Sequence, residues 1–133
     1  CMQDVAAARV VFDSGAALVQ LPCAGVVSAF TTCAGELEMF LRGKNKLCDY
    51  LVDIVERDGA AESSYRTWTR AIWDVTAVGW LLGDNFMRDK LVASPIPQYD
   101  HHYSFNGDRH LIRYVYHINR DALFEDLFRK LAE

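Results

Sequence analysis

One aspartate stands near the head of an otherwise apolar segment, "AIWDVTAVGWLL", which covers residues 71–82. Burying a carboxylate is costly unless a partner compensates its charge. Asp74 therefore has three candidate roles: a helix cap, a partner in a buried salt bridge, or a metal ligand. An N-cap carboxylate accepts hydrogen bonds from free N–H groups at the helix start, which is the simplest interpretation. A single carboxylate is a weak metal signal, because calcium takes about six to eight oxygen ligands.

The histidines are the other candidate metal ligands. A transition-metal site needs two or three of them to converge on one point. His110 and His117 are seven residues apart in the strand-like run "HLIRYVYH", so they are expected on opposite faces. His101 and His102 fall in a predicted loop. The pattern favours loop and surface roles for all four.

Composition limits the class of protein. The chain has 133 residues, which suits a single domain over 1–133, and 51% of them are hydrophobic. The formal net charge of −4, with both signs interspersed, argues against nucleic acid as a partner. Apolar runs are shorter than the roughly 20 residues of a membrane span, so no membrane association is expected. With no signal peptide, no CxxC pair and no zinc-site spacing, we expect reduced thiols in the cytoplasm; the cysteines are Cys1, Cys23, Cys33 and Cys48.

The first elements predict an α/β unit. Asp4 is a good N-cap for a helix that ends at Gly15. The run "ALVQLP" at 17–22 follows and is typical of a buried strand closed by proline. A helix, a tight glycine turn and a buried strand form half of a parallel α/β repeat.

Three helices are predicted in the middle of the chain. "TTCAGELEMFLRG" offers Thr31 or Thr32 as N-cap. "KNKLCDYLVDIVERDG" predicts a helix that ends at Gly59. "DVTAVGWLLGDNFM" predicts a helix that ends at Gly83. The apolar residues of the helix that ends at Gly59 are spaced to form one buried face, made of Leu47, Tyr50, Leu51, Ile54 and Val55.

The C-terminal part of the chain, from Pro95 onward, predicts strands and a final helix. Pro95 and Pro97 suit an edge or extended segment. "HHYSFNGDRHLIRYVYHI" predicts a β-hairpin about its "NGD" turn. Asn119 then caps a terminal amphipathic helix whose inward residues are Leu123, Phe124, Leu127, Phe128 and Leu131.

Two of these segments together resemble the second half of a nucleoside hydrolase. They are "AARVVFDSGAALVQLP" and "WDVTAVGWLL", with about fifty residues between them. That family has a helix ending in "SG", a strand ending in proline, and a later His-Asp or Trp-Asp pair that opens an apolar helix. The resemblance implies an α/β fold: the C-terminal part of a nucleoside hydrolase-like parallel-sheet fold, with a C-terminal β-hairpin and a terminal helix.

The resemblance also implies an activity and a set of site residues. Nucleoside hydrolases cleave the N-glycosidic bond of ribonucleosides, with a calcium-bound water as nucleophile. Asp74 matches the late calcium-ligating aspartate of the family. Trp73 stands where many members have histidine; this resembles the purine-preferring members, and an indole cannot supply the acid. Tyr65 and Trp68 lie where the family places aromatic contacts to the base, although core packing explains them equally well.

The sequence departs from the family in one respect. The Asp-rich DxDxxxDD segment, which supplies the general base and most calcium ligands, does not occur here. We therefore expect the chain alone to be inactive, as the C-terminal portion of an enzyme or a truncated relative. Its exposed strand edge favours a homo-oligomer. The alternatives are a non-catalytic oligomeric interaction or structural protein derived from a truncated hydrolase, and a subunit whose site is completed by a separate chain.

Overall fold

A computed structural model describes residues 3–83 and 85–133 and has a mixed α/β fold. Its α-helices are α1 (Val5–Asp13), α2 (Ala34–Phe40), α3 (Lys46–Glu62), α4 (Val75–Leu82) and α5 (Arg120–Ala132), with a 3₁₀ turn at Val27–Ala29. Its strands are β1 (Val19–Gln20), β2 (Thr31–Thr32), β3 (Arg70–Ala71), β4 (Met87–Ala93), β5 (Ile96–Pro97), β6 (Tyr103–Ser104) and β7 (Leu111–Ile118). No helix in these two ranges is both long and apolar enough to cross a membrane. Cys1 lies outside them, and the three described cysteines are free thiols.

The main sheet is mixed, although the sequence predicts a parallel one. It has three strands in the order β1-β7-β4. Strand β1 runs parallel to β7, as expected of the unit that α1 begins, whereas β4 runs antiparallel to β7. The predicted cap of α1 is confirmed, since the Asp4 carboxylate accepts from the Ala7 N–H at 2.8 Å. Gly15, at φ +71°, follows this helix in a conformation that glycine adopts without strain.

The predicted hairpin about the "NGD" turn is wrong. The turn itself forms, because the Asp108 N–H donates to Asn106 Oδ1 at 3.0 Å. However, β6 pairs with β5, and β7 pairs with β4. The seven residues of β4 give β7 a far longer hydrogen-bonded ladder than the two residues of β6 would. Pro97 lies in the short β5 strand, as its extended prediction requires.

A bulge in β7 decides which of its side chains reach the core. Pairing passes from Arg88 opposite His117 to Asp89 opposite Val115, so that Tyr116 is skipped. One extra residue in a strand shifts the alternation of its side chains. Val115 and Ile118, three residues apart, consequently both belong to the main hydrophobic cluster.

Helix α5 closes this core with the predicted face. The Asn119 side chain caps it by accepting from the Ala122 N–H, as expected. Leu123, Phe124 and Phe128 are buried. Stacked rings continue the core beyond the sheet: Phe30 lies 4.0 Å from Phe124 between centroids, and Phe128 lies 5.2 Å further along. Leu127 and Leu131 pack at its edge.

Helix α2 begins later than the sequence predicts. Its N-cap position is Cys33, and no side chain caps it. Thr31 and Thr32 instead form β2, which pairs with Ala71 and Arg70 of β3. Threonine is β-branched and favours strands, so a cap and a strand compete for these residues and the strand prevails.

The buried face of helix α3 matches the predicted one only in part: Val55 packs against the hydrophobic cluster, and Leu51 and Ile54 are half-buried. Leu47 and Tyr50 are 55% and 61% exposed, whereas Cys48 and Val52 are fully buried. The reason is a contact with the end of α5: Cys48 Sγ donates to the Leu131 carbonyl at 3.1 Å. Asn45 Nδ2 donates to the same oxygen at 2.8 Å. Two bonds to one carbonyl fix the rotation of the helix about its axis.

Arg109 ties three segments together at the other end of the sheet. Its Nε donates to the Ser94 carbonyl at 2.7 Å and its Nη2 to the Phe12 carbonyl at 2.8 Å. Nη2 also pairs with Asp13 at 2.5 Å, and 19% of the arginine side chain is exposed. The planar guanidinium thus joins the end of α1 to the turn after β4.

We predict that Arg109→Lys lowers the free energy of unfolding by about 2 kcal/mol, because one ammonium cannot reach all three partners and leaves a carbonyl unsatisfied. The control is Arg57→Lys, since Arg57 is 71% exposed and, among the described residues, pairs only with its neighbour Asp58. Urea denaturation of the two variants measures the difference. Equal stability of both would contradict a role for Arg109 in joining these segments.

Candidate functional site

A short antiparallel strand pair positions the segment that carries Asp74. Strands β2 and β3 pair Thr31 with Ala71, and the Ile72 N–H then donates to the Phe30 carbonyl at 3.0 Å. Ile72 packs against the hydrophobic cluster. The chain therefore enters α4 from a fixed point, and Trp73 and Asp74 are the last residues before that helix.

Asp74 occupies the N-cap position without capping the helix through its side chain. Its backbone is helical (φ −83°, ψ −16°), and its carboxylate accepts no hydrogen bond from the first turn. An N-cap residue ordinarily has an extended backbone, which aims its side chain at the free N–H groups. The Thr76 hydroxyl donates to the Trp73 carbonyl at 2.7 Å instead. Of the first interpretation, only the position at the helix start is confirmed.

The second interpretation, a buried salt bridge, is wrong. Asp74 is exposed. Within the described ranges no arginine, lysine or histidine pairs with its carboxylate. The cost of burying a charge therefore does not arise here, and the carboxylate is accessible to a ligand.

Trp73, the residue before Asp74, presents an accessible aromatic surface. The residue is 45% exposed, which is high for tryptophan. Its neighbour Ile72 packs against the core, so the side chains turn from the core towards solvent between Ile72 and Trp73. An accessible indole offers a flat surface for stacking a planar ring.

Tyr65 and Trp68 lie in the segment between α3 and β3. Trp68 is half-buried against α3, where a Cβ added at Gly59 would lie 2.5 Å from the indole Cζ3. Tyr65 is 77% exposed, and its N–H donates to Ser63 Oγ at 3.1 Å. No ring contact joins these two residues to Trp73 in the described part of the chain. The placement of Trp68 supports the packing interpretation that the sequence leaves open.

Tyr65 lines a polar cleft that the sequence does not predict. The cleft has a volume of about 360 Å³ and includes Ser64, Thr69 and the ion pair between Arg70 and Glu62. Glu62 lies at the end of α3, which runs one turn beyond Gly59. The residue types that line it are those of an ordinary polar surface, so their pattern in the sequence gives no signal of a cleft.

The described residues do not by themselves fit a calcium ion. They include no group of three or more His, Cys, Asp or Glu side chains that could hold a metal. Asp74 would supply one or two of the six to eight oxygens, roughly, that calcium requires. A calcium site that contains Asp74 would therefore take its other oxygens from backbone carbonyls, water or other segments.

Known protein families, curated proteins and solved structures give no match to this chain. An accessible carboxylate accepts hydrogen bonds from hydroxyl groups. An accessible carboxylate and an accessible indole on consecutive residues suit a ligand that has both hydroxyl groups and a flat ring.

We predict opposite effects for the same substitution at two helical glycines. Gly59→Ala in α3 places a methyl group against the Trp68 ring and lowers the unfolding free energy by about 1 kcal/mol or more. Gly35→Ala in α2 meets nothing within 4 Å and raises it by about 0.5 kcal/mol. Thermal or urea unfolding measures both. Stabilisation by both substitutions would show that Trp68 is not held against α3.

Proposed function

We propose that this chain is part of a nucleoside hydrolase, and that it supplies Asp74 and Trp73 to a site that cleaves the N-glycosidic bond of ribonucleosides. One observation carries the proposal: the Asp74 carboxylate is exposed and unpaired within the described residues, and the preceding residue in the chain, Trp73, is 45% exposed. The mixed α/β fold and the parallel pairing of β1 with β7 are compatible with the C-terminal part of a hydrolase of this kind.

The proposed role of Asp74 is that of one ligand in a shared calcium site. In a hydrolase of this family, the ion would orient water for attack on the sugar. The remaining side-chain ligands would come from an Asp-rich segment, because the described residues include no group of three or more such side chains that could hold the ion. The family resemblance implies that the same segment supplies the general base. The chain by itself is therefore expected to bind weakly and not to hydrolyse nucleosides.

The proposed role of Trp73 is to stack on the base. The indole carries no group that releases a proton near neutral pH, so it stabilises the bound base without acting as an acid. A purine offers a larger stacking area than a pyrimidine, which favours purine nucleosides. Tyr65, being exposed, remains a proposed second contact; Trp68 is a weaker candidate because α3 already covers part of its ring.

The activity test combines this protein with a separately expressed Asp-rich N-terminal segment of a nucleoside hydrolase, in the presence of calcium. We expect release of hypoxanthine from inosine by the mixture and none by either polypeptide alone. Asp74→Asn should reduce the rate in the mixture by about a hundredfold or more, since it removes a charge beside the reacting sugar. Asp108→Asn is the matched control, because that carboxylate is also exposed but lies in the turn before β7.

Three outcomes would contradict the proposal. Near-normal turnover by the Asp74→Asn variant would remove Asp74 from the site. Hydrolysis by this protein without the second segment would show that it holds a general base of its own. Equal losses from the Asp74 and Asp108 substitutions would point to a general charge effect.

A second candidate function is an oligomeric interaction protein, and the surface of α4 favours it. Val78, Leu81 and Leu82 are 57%, 76% and 53% exposed on this short helix. Apolar side chains that lie together on a surface commonly mark a contact with another protein chain. Under this hypothesis the protein is a homo-oligomer and α4 lies at its interface.

We predict that Leu81→Ser lowers the molar mass measured by light scattering if α4 forms such an interface, because it removes an exposed apolar side chain. Met39→Ser is the matched control, since Met39 of α2 is also 76% exposed. A molar mass that does not change with Leu81→Ser would exclude α4 as the interface.

A further inference from the structure

A row of three polar side chains crosses the main sheet from edge to edge. Gln20 of β1 lies opposite Tyr114 of β7, and Tyr114 lies opposite Lys90 of β4. Residues paired across neighbouring strands point to the same face, and the strands are about 5 Å apart. All three residues line one groove with a volume of about 830 Å³. This volume is in the range of small-molecule sites.

Rings and apolar side chains form the walls of this groove. Phe12 comes from α1 and contacts Tyr103 edge to face, at 6.2 Å between centroids. Phe105, which is 73% exposed, stands at the mouth. Pro22 and Pro95 complete the rigid part of the lining. A flat apolar ligand would therefore meet aromatic edges and faces at low cost in side-chain entropy.

The polar row has unused hydrogen-bonding capacity. Within the described residues, nothing bonds to the Gln20 amide, the Tyr114 hydroxyl or the Lys90 ammonium. Asp89, the acidic residue next to Lys90, does not neutralise the lysine charge, because its carboxylate pairs with Arg113 at 2.6 Å. An ammonium, a hydroxyl and an amide can all donate. Together they are complementary to an anion.

We propose that this groove binds a small aromatic monocarboxylate, with its ring between the aromatic walls and its carboxylate against the polar row. One lysine matches one negative charge, and the two neutral donors can bond to the remaining oxygen lone pairs. The inference does not depend on the proposed hydrolase function, since Asp74 and Trp73 play no part in it.

The test measures binding of 1-naphthoate to the intact protein by isothermal titration calorimetry. Lys90→Met keeps most of the length of the side chain and removes its charge, and it should weaken binding about tenfold or more. Tyr114→Phe removes only a hydroxyl and should weaken it about threefold or more. Lys46→Met is the matched control, because Lys46 is an exposed lysine at the start of α3 and should leave the affinity unchanged. The neutral analogue 1-naphthamide should bind the unaltered protein at least about tenfold more weakly.

Three results would overturn the proposal. The first is no binding of 1-naphthoate at millimolar concentration. The second is 1-naphthamide binding as tightly as the carboxylate, which would indicate a purely apolar contact. The third is affinity within twofold of the unaltered protein for both Lys90→Met and Tyr114→Phe. Unfolding curves for each variant ensure that a lost affinity is not a lost fold.

Discussion

Strand β7 is the element on which the rest of the structure depends. It has hydrogen-bonded neighbours on both edges, β1 on one side and β4 on the other, which no other strand in the described ranges has. Buried backbone N–H and C=O groups need partners, so a strand with both edges satisfied can lie at the centre of a core. Val115 and Ile112 are accordingly almost completely buried. The bulge at Tyr116 adds Ile118 to the core face and so gives α5 a continuous apolar surface to pack on.

Arg120 links this core to the candidate site. Its Nε and Nη2 donate to the Thr31 carbonyl at 2.9 and 2.7 Å, and it also pairs with Glu36. Its guanidinium lies over the Phe124 ring, 4.5 Å from the centroid. Thr31 belongs to β2, which holds β3, and β3 leads directly to Trp73. The placement of the site residues at the start of α4 therefore depends on a side chain from the opposite end of the chain.

Local signals predicted the helices whose ends are decided locally. Asp4 and Asn119 cap α1 and α5, and Gly83 follows α4, because a cap or a stop needs only its immediate neighbours. The partner of β7 could not be predicted in this way. Its "NGD" turn is a real turn, yet the longer ladder with β4 decides the pairing. The buried face of α3 likewise depends on the carbonyl of Leu131, a contact from the far end of the chain.

In the candidate site too, the features set by neighbouring residues could be predicted from the sequence and the others could not. The sequence predicted the position of Asp74 before an apolar helix, with Trp73 preceding it. The missing side-chain cap could not be predicted, because it follows from the helical backbone angles of Asp74.

The two faces of the main sheet explain why the groove is a separate site. On one face, Val115 and Met87 are covered by α5 and α4. On the other face, coverage is partial: Ile112 is 1% exposed, whereas Tyr114, two residues further along, is only half-buried. Helix α1 has nine residues and ends at Asp13, close to β5, so it covers one end of this face. A sheet face that is partly open favours polar residues at its open end. The row from Gln20 to Lys90 satisfies that requirement, and because its donors have no partners within the described residues, it can also hold a ligand.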